Sequence, residues 1–157
     1  MPDAVNMPNR MQIRPFAIAD TEPVIDLWHR CGLTRPWNDP HRDIARKLTV
    51  QPELFLVGEL DDRIVASAMA GYDGHRGWVN YLAVDPDRRR AGLAGALMAV
   101  IEADLLARGC PKLSLQVRAG NEQALGFYRS LGYADDRTVV LGKRLISDGA
   151  DRPEEDR

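Results

Sequence analysis

Val84-Asp85-Pro86-Asp87-Arg88-Arg89-Arg90-Ala91-Gly92-Leu93-Ala94-Gly95 is the stretch on which the reading of this chain turns. An apolar run ends at Val84, and a helical pattern begins inside a turn rich in glycine and alanine. The first turn of a helix has N–H groups without intrahelical acceptors and carries the positive end of the macrodipole, so it suits a diphosphate. Small residues at Gly92, Ala94 and Gly95 let phosphate oxygens come up to the main chain, which bulky side chains prevent. Arg88, Arg89 and Arg90 offer additional charge. The bland alternative is an ordinary strand-to-helix turn with solvated arginines. A nucleotide P-loop needs Lys followed by Ser or Thr behind its last glycine, and a dinucleotide fingerprint needs three glycines at fixed spacing; the stretch has neither.

Downstream, Leu93, Leu97, Val100, Ile101 and Leu105 form one apolar stripe, and Gly109 supplies a left-handed stop. Leu113, Leu115 and Val117 alternate as a strand, Asn121 caps a short helix running through Tyr128, and the run 139–145 is expected to close a sheet. Upstream, residues 54–60 and 64–72 read as an antiparallel hairpin joined by Asp61-Asp62-Arg63, and 78–84 as a third strand beyond a polar turn. Residues 11–16 read as a short strand. Asp20 offers an N-cap for a helix carrying Val24, Leu27, Trp28 and Cys31 and ended by Gly32. A second helix is expected after Asp39-Pro40, with Ile44 and Leu48 four apart. The predicted order is β, α, α, three β, α, β, α, β, β.

The chain has 157 residues and 45% apolar content, the size of one domain able to bury most of its unfolded surface. We expect that domain over 11–146, with polar, disordered ends at 1–10 and 147–157. The formal charge of -2 draws the whole molecule neither to nucleic acid nor to an anionic surface, so a phosphate site has to be built locally. Arg88, Arg89 and Arg90 with Arg42, Arg46 and Lys47 raise a nucleic-acid reading, against which stand the acidic balance and only 6% aromatics. Cys31 and Cys110 are read as free thiols and not as a disulfide. No stretch has the eighteen or so apolar residues of a membrane span, and the first ten residues lack the apolar core of a signal peptide; a cytoplasmic protein is expected.

Arg89-x-x-Gly92-x-Ala94, after a strand ending Val-Asp-Pro, resembles the acyl-CoA turn of the GNAT acetyltransferases, [Q/R]-x-x-G-x-[G/A]. A second family feature stands in its expected place: Asn121-x-x-Ala124-x-x-Phe127-Tyr128-x-x-x-Gly132-Tyr133. The resemblance covers nearly all of 11–146. Arg-Pro-Trp-Asn-Asp-Pro (35–40) and Gly-Tyr-Asp-Gly-His-Arg-Gly (71–77) are similar to a YpeA-like bacterial subgroup. It implies an α/β (α+β) acyl-CoA N-acyltransferase fold, with a mixed, mostly antiparallel central sheet flanked by about four helices. It further implies an acetyl-CoA-dependent N-acetyltransferase working without a metal on a small-molecule or peptide amine, as monomer or homodimer.

Residue by residue, the resemblance implies that the amides of Arg90, Gly92, Ala94 and Gly95 hold the pyrophosphate, with Arg89 as the motif's first residue. Main-chain groups of Leu82 and Val84 pair with pantetheine, and the Leu82 N–H donates to the thioester oxygen as negative charge develops there. Asn121 touches the cofactor arm, and Tyr128 lies near the sulfur as proton donor. A second reading of Tyr128 remains beside this one: Ala124, Phe127, Tyr128 and Leu131 share a helix face, so it also fits a core tyrosine.

Several better-known members carry a glutamate base on the strand equivalent to 78–84, and no acid stands in 78–82 here. Asp73, His75 and Glu59 are the candidate acceptors for the amine proton; His75 titrates in the useful range, and a solvated turn histidine is the alternative. Trp37 and Asn38, in the loop between the first two helices, are candidates for the acceptor pocket along with Asp73; for Trp37 simple packing is the alternative. The missing glutamate also leaves open a non-catalytic acyl-CoA sensor on the same fold.

Overall fold

Apolar side chains at every second position, on both sides of the same strands, require a sheet covered on two faces. The computed structural model describes residues 10–149 and has such a sheet. Its strands are β1 (Gln12–Pro15), β2 (Phe55–Leu60), β3 (Arg63–Tyr72), β4 (Gly77–Val84) and β5 (Leu113–Leu115), in the spatial order β1-β2-β3-β4-β5. The first three pairings are antiparallel, and β4 pairs with β5 in parallel. The helices are α1 (Thr21–Arg30), α2 (Pro40–Lys47), α3 (Leu93–Ala107) and α4 (Glu122–Ser130). The expected mixed, mostly antiparallel sheet with four helices is thus present.

Strand β3 distributes its side chains by size. Ala66, Ala68 and Ala70 form a flat row toward α3, where Leu97, Met98, Ile101 and Leu105 pack on them together with Leu54, Leu56 and Val79. On the opposite face Phe55, Val57, Met69 and Ala83 meet Val24, Leu27 and Trp28 of α1 and Ile44 of α2. Buried Ser67 is satisfied there by the Trp28 indole N–H at 3.0 Å, as burial of a hydroxyl requires. The β2–β3 hairpin turns at Asp61 and Asp62, both at positive φ (52° and 60°), the twist that two-residue hairpins favour.

Most expected boundaries hold. Helix α1 stops where Gly32 takes φ 68°, and α3 where Gly109 takes φ 81°. Asp39 caps α2 by accepting from the amides of His41 and Arg42, with Pro40 in the first turn. Asp20 stands at the N-cap of α1 but makes no cap there, because its carboxylate is taken by the stronger guanidinium of Arg14 (2.7 and 2.9 Å) and the Ala17 amide. Leu54 belongs to a 3-10 turn (Pro52–Leu54), and β2 begins one residue later. The strand expected to include Val117 ends at Leu115. Both cysteines are free.

The run 139–145 does not close the sheet: Val139, Leu141 and Leu145 are 85, 91 and 88% exposed. Alternation yields a strand only where an edge offers a ladder, and β5 is three residues long. Polar anchors hold the segment instead, Lys112 Nζ on Asp136 at 2.6 Å and Arg144 on the Asn38 side chain. Of the expected disordered ends, 1–9 and 150–157 lie outside the described residues; Asp148 is bonded to α2. Among the described residues no helix is long and apolar enough to cross a membrane.

Candidate functional site

The parallel pairing of β4 with β5 covers Gly77, Trp78 and Val79 against Leu113, Ser114 and Leu115, and then stops. The rest of β4, through Val84, runs on with no β5 partner, so the two strands part and leave one edge of β4 without a ladder. On its other edge the register with β3 slips by one residue: Met69 faces Asn80, whereas Ser67 faces Ala83. Tyr81 absorbs the extra residue by taking φ 54°, the signature of a bulge. Neither Tyr81 nor Leu82 has a register partner on β3 or β5. Main-chain groups at Leu82 are therefore re-aimed where the strands diverge.

The expected anion turn follows directly. Asp85 accepts from the Asp87 amide at 3.0 Å and shapes a 3-10 turn (Pro86–Arg88); Arg89 is extended, Arg90 takes φ 68°, and Gly92 takes φ 77° as the N-cap of α3. Only a residue without Cβ adopts that last conformation at little cost. The first closing bond of α3 runs from the Ala96 amide to the Gly92 carbonyl. Among the described residues no protein acceptor is recorded for the amides of Arg89, Arg90, Gly92, Ala94 or Gly95. A Cβ added at Gly92 or Gly95 would meet nothing within 4 Å, so both main-chain positions face open space.

The arginines divide their work. Arg88 stands 3.9 Å from Asp61, and Arg89 lies against the Cys31 thiol, which donates to the Val84 carbonyl at 3.2 Å. Burial raises the pKa of that thiol, and the Arg89 charge opposes the rise. Arg30, on Asp85 at 3.0 Å, ties α1 to the start of the turn.

Tyr128 is half-buried and packs against the same apolar cluster as Leu82 and Val84, its ring edge-on to Phe127 (5.0 Å) and Tyr133 (5.8 Å). Burial pushes its phenol up to about 12, and among the described residues no hydrogen-bond partner is recorded for the hydroxyl. Asn121 caps α4 by accepting from the Ala124 amide at 3.1 Å, which fixes the helix that presents Tyr128.

His75 and Asp73 are not gathered there. Both lie in the β3–β4 turn, at the end of β4 opposite Leu82, and at about 3.3 Å per residue the five steps from Gly77 to Leu82 separate them from it by about 16 Å. Asp73 shapes that turn by accepting from the amides of His75 and Arg76, each at 2.8 Å, which holds its pKa below the usual carboxylate value. Glu59 pairs with Arg14 at 3.1 Å and lines a cleft together with Asp85 and Asp87 at the start of the turn. Another open cleft, of about 680 Å³, is lined by Met11, Ile13, Glu59 and Asp61 among others and by none of residues 84–95. Trp37 and Asn38 are half-buried in the α1–α2 loop, where the Asn38 amide donates to the Arg35 carbonyl at 3.0 Å.

Sequence reasoning missed Asp43. Its carboxylate reaches from α2 to the bulge and accepts from the Tyr81 hydroxyl at 2.6 Å, while the Tyr81 ring stacks on Trp28 at 4.0 Å. Burial, followed by the Asp43 charge, raises the Tyr81 phenol. The sequence signal was weak: Asp43 reads as one more polar residue on a helix face.

The acetyltransferase (GNAT) family model matches residues 21–133. An acetyltransferase of Yersinia enterocolitica is 54% identical over 138 residues, 88% of this chain and 98% of that protein. One of Pectobacterium atrosepticum is also 54% identical over 138 residues, with the same coverage. Among solved structures, AAC(6')-Iy in complex with the bisubstrate analogue CoA-S-monomethyl-acetylneamine superposes with a TM-score of 0.72 at 17% identity, over 88% of this chain and 100% of that one. The ribosomal-protein-S18-alanine N-acetyltransferase of Escherichia coli does so with a TM-score of 0.65 at 26% identity, over 78% and 77%. The parted strands, the open amide turn and these likenesses agree: this chain belongs to the acetyltransferase (GNAT) family and is an N-acetyltransferase.

Proposed function

We propose that the protein transfers the acetyl group of acetyl-CoA to an amine by direct attack, with both substrates bound together. The observation that carries this reading is the continuity of the unladdered edge of β4 with the run of amides that ends at Gly95. The turn fits a diphosphate because, among the described residues, its donors have no protein acceptor and no side chain stands over Gly92 or Gly95. Acetyl-CoA supplies an activated thioester. The amides of Arg90, Gly92, Ala94 and Gly95 hold its phosphates, with Arg89 beside them. Leu82 and Val84 pair with the pantetheine arm, and Asn121 borders it.

In the reaction, the neutral nitrogen attacks the thioester carbon and the carbonyl oxygen takes the negative charge, which the Leu82 N–H receives. Collapse breaks the C–S bond, Tyr128 gives its proton to the departing sulfur, and the proton that the nitrogen sheds passes through water to restore the Tyr128 phenol. Against a thiol near 8.5, a phenol at about 12 makes that donation uphill by about 5 kcal/mol, so it has to be concerted with cleavage. Deprotonating a lysine at pH 7 costs about 4.6 kcal/mol, against about 1 for an α-amino group. With no acid on β4 from Trp78 to Leu82, the site favours weakly basic amines.

The test is calorimetric titration with acetyl-CoA, then thiol release with a peptide amine, a polyamine, an aminoglycoside and a small primary amine. Micromolar binding with release for at least one acceptor is expected. Absence of binding overturns the site, and binding without any release turns the reading toward an acyl-CoA sensor.

A further inference from the structure

Far from the amide turn in sequence, residues 144–148 are bound to α2 and to the loop before it. Asp148 has a fully covered side chain. Its carboxylate is gripped at both oxygens by Arg46 of α2, at 3.0 and 2.5 Å, and accepts from the Asp39 amide at 3.1 Å, with Arg42 3.8 Å away. That amide begins the N-cap of α2 and ends the loop carrying Trp37 and Asn38. Arg144, four residues earlier, holds the Asn38 side chain from the same segment.

The contacts continue inward. Arg46 also donates to Asp43 Oδ1 at 3.2 Å, and Asp43 Oδ2 takes the Tyr81 hydroxyl at 2.6 Å. Tyr81 is the residue whose φ of 54° makes the bulge in β4, and its ring is fixed on Trp28. An unbroken path of charge-assisted hydrogen bonds therefore joins the C-terminal segment, the loop at 35–39 and the strand bulge next to Leu82.

We propose that Asp148 is a positioning residue for acyl transfer: through Arg46, Asp43 and the Asp39 amide it locks the 35–39 loop and the Tyr81 bulge into one unit, so that the chain's own C-terminal segment closes the acceptor side. The assignment rests on the proposed reaction only in calling 35–39 an acceptor wall; the clamp itself is a matter of contacts. Asp148 touches no reacting atom. It acts through the cation of Arg46, so charge and not bulk is what matters.

The experiment compares the full-length protein with Asp148→Asn, Asp148→Ala and Arg46→Ala, using amide hydrogen exchange read on peptides covering 33–39, 79–83 and 88–96. Asp148→Asn keeps the shape and removes the charge. It is expected to speed exchange in 33–39 by tenfold or more and in 79–83 by a smaller factor, with 88–96 within twofold of the parent. Arg46→Ala should speed exchange in 33–39 as much and in 79–83 more, since it also releases Asp43, and Asp148→Asn added to Arg46→Ala should speed 33–39 no further. Parent-like exchange in Asp148→Asn overturns the proposal, even where Asp148→Ala loosens the loop, since packing alone would then explain the contact. For any amine that releases thiol in the panel, Asp148→Asn should raise the acceptor KM at least fivefold while leaving the acetyl-CoA KM within twofold. A panel in which no amine reacts counts against the proposed function, and the exchange result still decides the clamp.

Discussion

The two sides of β4 are built in different ways. The proposed cofactor side is contiguous: the parted edge, the 3-10 turn and the first turn of α3 occupy residues 80–96, and their geometry comes from local choices at Asp85 and Gly92. The proposed acceptor side is assembled from afar, with the 35–39 loop, Asp43 and Arg46 of α2, Tyr81 of β4, and Arg144 and Asp148 of the 144–149 segment. One side can be changed by a point substitution in a motif. The other depends on contacts spanning 102 and 109 residues of chain.

The largest expected effect separates the two. Gly92→Glu places bulk and negative charge over the amides and should weaken acetyl-CoA binding about 1000-fold, roughly 4 kcal/mol, in calorimetry. Gly92→Ala has comparable backbone strain without the charge and should lose far less; equal losses would mean that the turn is sensitive only to conformation. Exchange in 33–39 should not respond to either substitution.

Next in size, Tyr128→Phe should lower kcat about 100-fold, the usual scale for a positioned acid, with coenzyme A affinity within twofold. Turnover at the parental rate would return Tyr128 to the apolar cluster it packs against.

What the sequence made legible follows the same division. Gly32, Gly92 and Gly109 mark their helix ends through positive φ, and the alternation in 54–60 and 64–72 places two strands to within a residue. The open amide turn was readable because its spacing is local. Asp43 was not, since the use of a helical aspartate depends on which strand lies across from it. Residues 139–145 misled for a related reason: alternation reports a capacity to form a strand, and only a neighbouring edge of adequate length realises it. His75 looked useful by chemistry, and the β3–β4 connection carries it to the wrong end of β4.

Smaller effects probe the acceptor side. Tyr81→Phe removes the hydroxyl bond to Asp43 but leaves that carboxylate with Arg46, so about 1.5 kcal/mol of unfolding free energy should be lost in urea, with acetyl-CoA affinity unchanged. A change in affinity would show that the two sides are coupled through the bulge.

The smallest effect is in pH. Arg46 above all, then the Asp39 amide, hold the Asp148 carboxyl well below the usual carboxylate range. A depressed folded-state pKa contributes stability that is fully present above the unfolded value of about 4 and is lost as pH falls through the folded value. The gap in melting temperature between the parent and Asp148→Asn should thus be constant from pH 8 to 5 and shrink in stronger acid. A gap that widened in acid would mean that the native contact does not favour the ionised form.

The three alanines of β3 set a standoff. Because Ala66, Ala68 and Ala70 present only methyl groups, the axis of α3 rests as close to the sheet as side chains permit, and the height of its first turn above β4 is fixed by that thickness. Exchanging one of them for valine would act as a shim under the helix. It would tilt the first turn of the helix out of line with the strand edge without altering Arg90, Gly92, Ala94 or Gly95, so the reach proposed between diphosphate and thioester would be gauged from beneath the site.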